Sequence, residues 1–158
     1  MSGSEATGNR PKILIADDNV QNVELLEVYL EELDCDIVKA YDGEETLEVI
    51  AREKPDLVLL DIMMPKISGY EICRKLKGDP AAHTLPILMV TALNESSDVE
   101  RAIQAGADDF ISKPIHKDDL IRRVRALLRV RDEADDLQRT LEYITEIDEE
   151  PASRQGDA

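Results

Sequence analysis

Residues 57–69 read Leu57-Val58-Leu59-Leu60-Asp61-Ile62-Met63-Met64-Pro65-Lys66-Ile67-Ser68-Gly69. Consecutive aliphatic residues with no polar alternation suit a strand buried on both faces, as in a parallel sheet whose crossover helices cover both sides. The run stops on a carboxylate. Ser68 with Glu71 three positions on has the capping-box pattern, so a helix is predicted to start here. Strand, acidic tip, loop and helix make one βα unit, and the fold depends on whether that unit repeats.

It does repeat. Ile13-Leu14-Ile15-Ala16, Asp36-Ile37-Val38, Ile87-Leu88-Met89-Val90 and Phe110-Ile111 are further short apolar runs. Between them apolar residues step by three or four: Val23, Leu26, Leu30 and Leu33; Leu47 and Ile50; Ile72 or Cys73 with Leu76; Val99 with Ala102 and Ile103; Leu120, Val124 and Leu127. Ser97 with Glu100 reads as a second capping box, and Gly78 before Asp79-Pro80, and Gly106, read as helix stops. Five strands alternating with five helices predict an α/β fold over residues 11–130: a doubly wound (βα)5, flavodoxin-like parallel sheet.

The ends differ in character. Residues 1–10 are small and polar and are predicted to form a disordered lead. Val130, Ala134, Leu137, Leu141 and Ile144 follow coiled-coil spacing, with acidic residues on the other faces. The last helix is therefore predicted to run on as a helical extension over residues 131–148, either folding back on the domain or self-associating. Periodicity is lost over 149–158, a predicted disordered tail.

The chain of 158 residues carries 19 Lys and Arg against 35 Asp and Glu, a net charge of −16. Binding held by counterion release from nucleic acid needs clustered cations, so no nucleic-acid partner is expected; a divalent cation or basic partner suits the charge better. Arg122, Arg123, Arg125, Arg129 and Arg131 form a basic run, but acids follow directly, and a solvated helix face pairing with carboxylates explains it. The longest apolar runs are about a strand long, so no membrane partner is expected. Nothing in the first ten residues resembles a secretory signal, and Cys35 and Cys73 lack metal-like spacing; the expected compartment is cytoplasmic, with both thiols buried and reduced.

In an open parallel sheet, ligands bind beyond the carboxyl ends of the strands where strand order reverses. The first run ends in Asp17-Asp18, the third in Asp61 and the fourth in Thr91, while Lys113-Pro114 follows the fifth. Each residue alone has an ordinary explanation: Asp18 as a helix N-cap, Lys113 as a surface lysine, Thr91 as a strand end. Together they put carboxylates, a hydroxyl and an ammonium on one rim. Close carboxylates cannot all stay ionised without a counter-charge, and Mg²⁺ supplies one while taking oxygen ligands and phosphate oxygens. A carboxylate can also attack phosphorus to form an aspartyl phosphate, with Lys113 and Thr91 on the other phosphoryl oxygens.

Asp17-Asp18, Leu59-Leu60-Asp61-Ile62-Met63-Met64-Pro65-Lys66-Ile67-Ser68-Gly69, Val90-Thr91-Ala92 and Ala107-Asp108-Asp109-Phe110-Ile111-Ser112-Lys113-Pro114 resemble, in order and spacing, the receiver domain of two-component response regulators. The receiver is most similar to those that precede cyclic-dinucleotide output domains. The resemblance implies that Asp61 accepts a phosphoryl group from a sensor histidine kinase or phosphotransfer protein. It implies that Asp18, Asp61 and the Met63 backbone carbonyl ligate Mg²⁺, for which Mn²⁺ can substitute, with Asp17 acting directly or through water. Thr91, Lys113 and the backbone N–H of Ala92 would contact the phosphoryl group, and the Lys113-Pro114 bond would be cis.

By the same resemblance, Thr91 and Phe110 form a switch acting on a face made of the fourth helix, fifth strand and fifth helix, through which the chain binds an unidentified output partner or a second copy; the C-terminal helix is the other dimerisation route. Phe110 replaces the commoner Tyr, so the switch is expected to work by packing. Met63 and Leu93 flank the acceptor and are apolar, which predicts a long-lived phosphoform.

The expectation is a stand-alone response regulator, a phosphoacceptor switch rather than an enzyme, whose only chemistry is its own phosphorylation and dephosphorylation. An unphosphorylated scaffold is a weaker alternative, because scaffolding needs no acidic cluster. An Asp-nucleophile phosphatase would want a second carboxylate two residues after Asp61, where Met63 stands.

Overall fold

The computed structural model describes residues 10–131 and 136–148. Five parallel strands, β1 (Lys12–Ala16), β2 (Asp36–Ala40), β3 (Leu57–Leu60), β4 (Ile87–Thr91) and β5 (Asp109–Ser112), form one sheet in the order β2-β1-β3-β4-β5. Helices α1 (Val20–Tyr29), α2 (Gly43–Glu53), α3 (Gly69–Lys77), α4 (Ser96–Ala105) and α5 (Lys117–Val130) alternate with them, and α6 (Asp136–Asp148) follows. The chain steps outward from β1 to β2 and then returns to β3, so strand order reverses between β1 and β3. Ala16 pairs with Leu60 in that register, and Asp61 N–H donates to the Ala16 carbonyl at 2.9 Å. The residues that follow these strands, Asp17 and Asp61, are thereby set side by side.

Side-chain alternation divides the interior into two cores. Ile13, Ile15, Leu57 and Leu59 meet α1 and α5, while Leu14, Val58 and Leu60 meet α2, α3 and α4. All four β3 residues are at most 1% exposed, which explains why their run shows no polar alternation. Each such side chain contributes about 1.5–3 kcal/mol of burial. Cys73 is a free thiol in this interior, and burial pushes its pKa up to about 12, leaving it inert as a nucleophile; Cys35 is also free and buried.

Three local expectations are corrected. The apolar steps through Leu33 suggest one helix, but α1 stops at Tyr29 and a 3-10 turn over Leu30–Glu32 tightens its end. Helix α4 begins earlier than the Ser97 and Glu100 pattern implies: Glu95 is its N-cap, and the Asp98 carboxylate accepts from the Glu95 N–H at 3.0 Å. The last helix does not run on unbroken. Helix α5 ends at Val130, and α6 packs against it, with Arg129 Nη1 2.6 Å from Glu146 Oε1. In one continuous helix those residues would stand about 25 Å apart.

Ser68 does cap α3, accepting from the Glu71 N–H at 3.3 Å, and Gly106 closes α4 with φ +103. The basic run on α5 pairs with carboxylates throughout: Arg122 and Arg123 with Asp119, Arg125 with Glu32, Arg129 with Glu146 and Arg131 with Asp56. Among the described residues no helix is long and apolar enough to cross a membrane. Of the lead predicted over residues 1–10, Arg10 is described and is held at the start of β2, its guanidinium donating to Asp36 at 3.0 Å and to the Cys35 carbonyl at 2.8 Å; residues 1–9, the tail over 149–158 and the extension residues 132–135 lie outside the described residues.

Candidate functional site

The residues expected from the strand ends meet. Asp17, Asp18 and Asp61 each bring a carboxylate oxygen within 4.8 Å of the others. Asp17 and Asp61 are buried and Asp18 is exposed, so the cluster opens to solvent on one side. Asp18 is not a helix cap: Asn19 caps α1, its side chain accepting from the Asn22 N–H at 3.1 Å. With the ordinary reading removed, Asp18 remains as an uncommitted carboxylate beside two others.

Each buried carboxylate is oriented by backbone on one oxygen and by Lys113 on the other. Asp17 Oδ1 accepts from the Asn19 N–H at 2.9 Å, and Asp61 Oδ1 from the Met63 N–H at 3.3 Å. Lys113 Nζ reaches Asp17 Oδ2 at 2.9 Å and Asp61 Oδ2 at 3.4 Å. Burial, then the neighbouring Asp17 charge, raises the Asp61 carboxyl above its ordinary value; Lys113, a hydrogen bond from Thr91 and the Met63 N–H oppose the rise. Burial works against the Lys113 ammonium, but its bonds and attraction to Asp17 and Asp61 outweigh it and hold the group above its ordinary value. One lysine thus serves two carboxylates, with a third nearby.

That charge imbalance is the test of whether a divalent cation fits. An octahedral Mg²⁺ with ligands at 2.0–2.1 Å sets its oxygens about 3 to 4 Å apart. Oxygens already within 4.8 Å of one another need only a small adjustment, and hard anionic oxygens are the donors Mg²⁺ takes. The residues therefore fit the ion.

Thr91 is fully buried at the end of β4, and its hydroxyl also accepts from the Leu93 N–H at 3.4 Å. Ala92 is exposed just past it, and Met63 is 60% exposed in the loop that follows Asp61. Phe110 is half-buried and packs on the α2–α4 side of the sheet, opposite Met89 in register. The Lys113-Pro114 peptide is cis.

The pattern reading missed the support beneath the 62–68 loop. Lys66 has φ 76, a left-handed conformation that costs a non-glycine residue about 1–2 kcal/mol. Its ammonium is paired with Asp42 at 3.5 Å and Glu44 at 3.4 Å at the start of α2. Gly43 N–H donates to the Pro65 carbonyl at 3.2 Å, and a Cβ on Gly43 would stand 2.4 Å from the Ile67 carbonyl oxygen. These contacts join residues about twenty apart and leave no periodic trace; the lack of a side chain at Gly43 was the only available signal.

The family model for the response regulator receiver domain matches residues 13–125. The chain is 41% identical over 127 residues to the response regulator PleD of Caulobacter vibrioides, covering 80% of this chain and 28% of that protein. It is 42% identical over 118 residues to PhoP, the alkaline phosphatase synthesis transcriptional regulatory protein of Bacillus subtilis, covering 75% and 48%. The chain thus spans only about a quarter to a half of these curated relatives.

Among solved structures, a putative response regulator from Chloroflexus aurantiacus matches with a TM-score of 0.74 at 35% identity, over 77% of this chain and 99% of that one. The signal receiver domain of a signal transduction histidine kinase from Syntrophus aciditrophicus matches at 0.73 and 35%, over 79% and 95%. Receiver domains bind Mg²⁺ at an acidic pocket and take phosphoryl groups from histidine kinases. A chain that shares its fold with solved receivers along three quarters of its length, and the family's sequence along residues 13–125, belongs to the response regulator receiver domains of two-component systems.

Proposed function

We propose that this chain is a Mg²⁺-dependent phosphoacceptor switch in which Asp61 takes a phosphoryl group from the phosphohistidine of a sensor kinase or phosphotransfer protein. The observation that carries the reading is the sharing of one lysine, Lys113, between two buried carboxylates, Asp17 and Asp61, with Asp18 alongside. Three carboxylates against one ammonium leave the cluster two positive charges short of neutrality, which is the charge of one divalent cation.

Asp61 is the nucleophile. Its carboxylate oxygen forms a bond to phosphorus while the phosphorus–nitrogen bond of the donor breaks, and the imidazole leaves with the electron pair. Lys113 keeps Asp61 ionised and then donates to a phosphoryl oxygen, and the Thr91 hydroxyl and the Ala92 N–H take up others. Asp17, Asp18, Asp61 and the Met63 carbonyl hold the Mg²⁺, which when bound neutralises phosphoryl charge. Thr91 and Phe110 carry the change to the face of α4, β5 and α5.

That face binds an output partner or a second copy of the chain. The reduced, buried Cys35 and Cys73 suit a cytoplasmic protein.

Incubation with acetyl phosphate and Mg²⁺, followed by intact-mass measurement, tests the reading. Wild type gains one phosphoryl group and Asp61→Ala gains none; an equal adduct on the variant overturns the assignment.

A further inference from the structure

Helix α6 returns to the domain and is anchored there by a polar contact. The Tyr143 hydroxyl donates to Asp109 Oδ2, the same oxygen that the Arg123 guanidinium on α5 grips. The other oxygen, Asp109 Oδ1, accepts from the backbone N–H of Phe110 at 2.8 Å. Tyr143 also packs against the α1–α5 core. Burial and the Asp109 charge hold the Tyr143 hydroxyl above the ordinary phenol range, so it stays a donor.

The anchor's position matters. Asp109 opens β5 and Lys113 follows its last residue, so one four-residue strand carries the α6 contact at one end and the site's ammonium at the other. Among the described residues it is an edge strand, paired with β4 alone, and Thr91 lies opposite Ser112 in that pairing. In the docked arrangement Lys113 is spent on Asp17 and Asp61.

We propose that α6 is a clasp on β5 whose docking, through Tyr143 on Asp109, opposes occupancy of the acidic site. The inference rests on the phosphoacceptor reading. A phosphoryl group on Asp61 draws Lys113 and Thr91 toward new oxygens and so pulls on the upper end of β5. At the lower end, Asp109 holds its donors in a fixed arrangement that includes the Phe110 N–H, and such an arrangement tolerates displacement poorly. Binding at the two places is linked, so each weakens the other by the same factor. The bistable element is α6 itself, docked or released.

The test uses the full chain with acetyl phosphate and Mg²⁺, reading adduct mass and amide hydrogen exchange over residues 136–148 together. The adduct is expected to speed exchange in α6 by about fivefold or more. Tyr143→Phe keeps the ring and removes the anchor; it is expected to speed α6 exchange without acetyl phosphate and to lower the concentration needed for half-labelling. Ile144→Ala, on the exposed side of α6, is expected to change neither. An adduct that forms fully while α6 exchange stays constant overturns the clasp and leaves the acceptor reading standing. Equal effects from Ile144→Ala and Tyr143→Phe overturn the role of the hydroxyl. A wild type that takes no adduct overturns the acceptor reading, and the coupling with it.

Discussion

Lys113 Nζ lies 2.9 Å from Asp17 Oδ2, and this contact ties the end of β5 to the end of β1 across the two strands between them. The lysine compensates buried negative charge at the ends of β1 and β3. Lys113→Met is therefore expected to destabilise the metal-free protein. Breaking a fully buried pair costs about 3–5 kcal/mol; with Lys113 21% exposed, a loss of about 1–3 kcal/mol follows. Urea unfolding at pH 7 measures it. The loss should shrink as pH falls, because protonation of the Asp61 carboxyl, which burial and the Asp17 charge already raise, relieves the charge left without its lysine.

Asp61 makes the complementary prediction. Burial and Asp17 raise its carboxyl in the folded state above 3.8, the ordinary value. As pH climbs, the unfolded chain loses this proton first, so in that window the native state holds more protons and stability falls. Below the ordinary value the full stability is present; above the raised value it is gone. Asp61→Asn removes the titration and is expected to raise the melting temperature at pH 7 without Mg²⁺, and to flatten the decline between the two pKa values. Thermal unfolding across pH checks both, and a lower melting temperature for the variant at pH 7 contradicts the charge-burial argument.

Lys77 tests the frame independently of the site. Its ammonium donates to the carbonyls of Leu85 at 2.9 Å and His83 at 3.3 Å and to Asp108 Oδ2 at 3.1 Å, joining α3 to the approaches of β4 and β5. Lys77→Met is expected to cost about 2–3 kcal/mol in urea unfolding, since a largely buried charge loses charge-assisted bonds. Acetyl phosphate labelling of the folded fraction should be unchanged.

The parts of this chain legible in its sequence are those with a local physical signature. β3 reads clearly because both its faces are covered, and Asp17, Asp18, Asp61, Thr91 and Lys113 read clearly because strand ends in a parallel sheet share one rim. Helix α4 was misplaced because Ser97 and Glu100 mimic the box that Glu95 and Asp98 form two residues earlier. The stripe from Val130 to Ile144 implied continuity, yet Leu141 and Ile144 are about half exposed and Tyr143, outside the stripe, makes the inward contact. Nothing local marks a tyrosine that pairs with an aspartate 34 residues away. The Lys77 and Lys66 contacts escaped for the same reason.

Gly69 links the start of α3 to the placement of Asp61. A Cβ there would stand 2.5 Å from the Asp61 carbonyl oxygen and 2.7 Å from the Ile62 Cα, so α3 can start this close to β3 only without a side chain. Gly69→Ala is expected to cost about 1–3 kcal/mol in stability. The labelling rate of the folded fraction should fall at least tenfold, because the displaced group is the Asp61 backbone itself. Equal labelling rates for folded wild type and variant would show that the acceptor tolerates the shift.

Three carboxylates from two strand ends, Asp61 among them, form the proposed seat of one divalent cation. Amide NMR with substoichiometric Mn²⁺ in place of Mg²⁺ tests this directly, since the ion broadens only signals near where it sits. The account predicts saturable loss of the amides around Asp17–Asn19 and Asp61–Met63, competed by Mg²⁺ and abolished in Asp18→Asn. Broadening spread over the other acidic surfaces of this chain of net charge −16, with those amides spared, would contradict it.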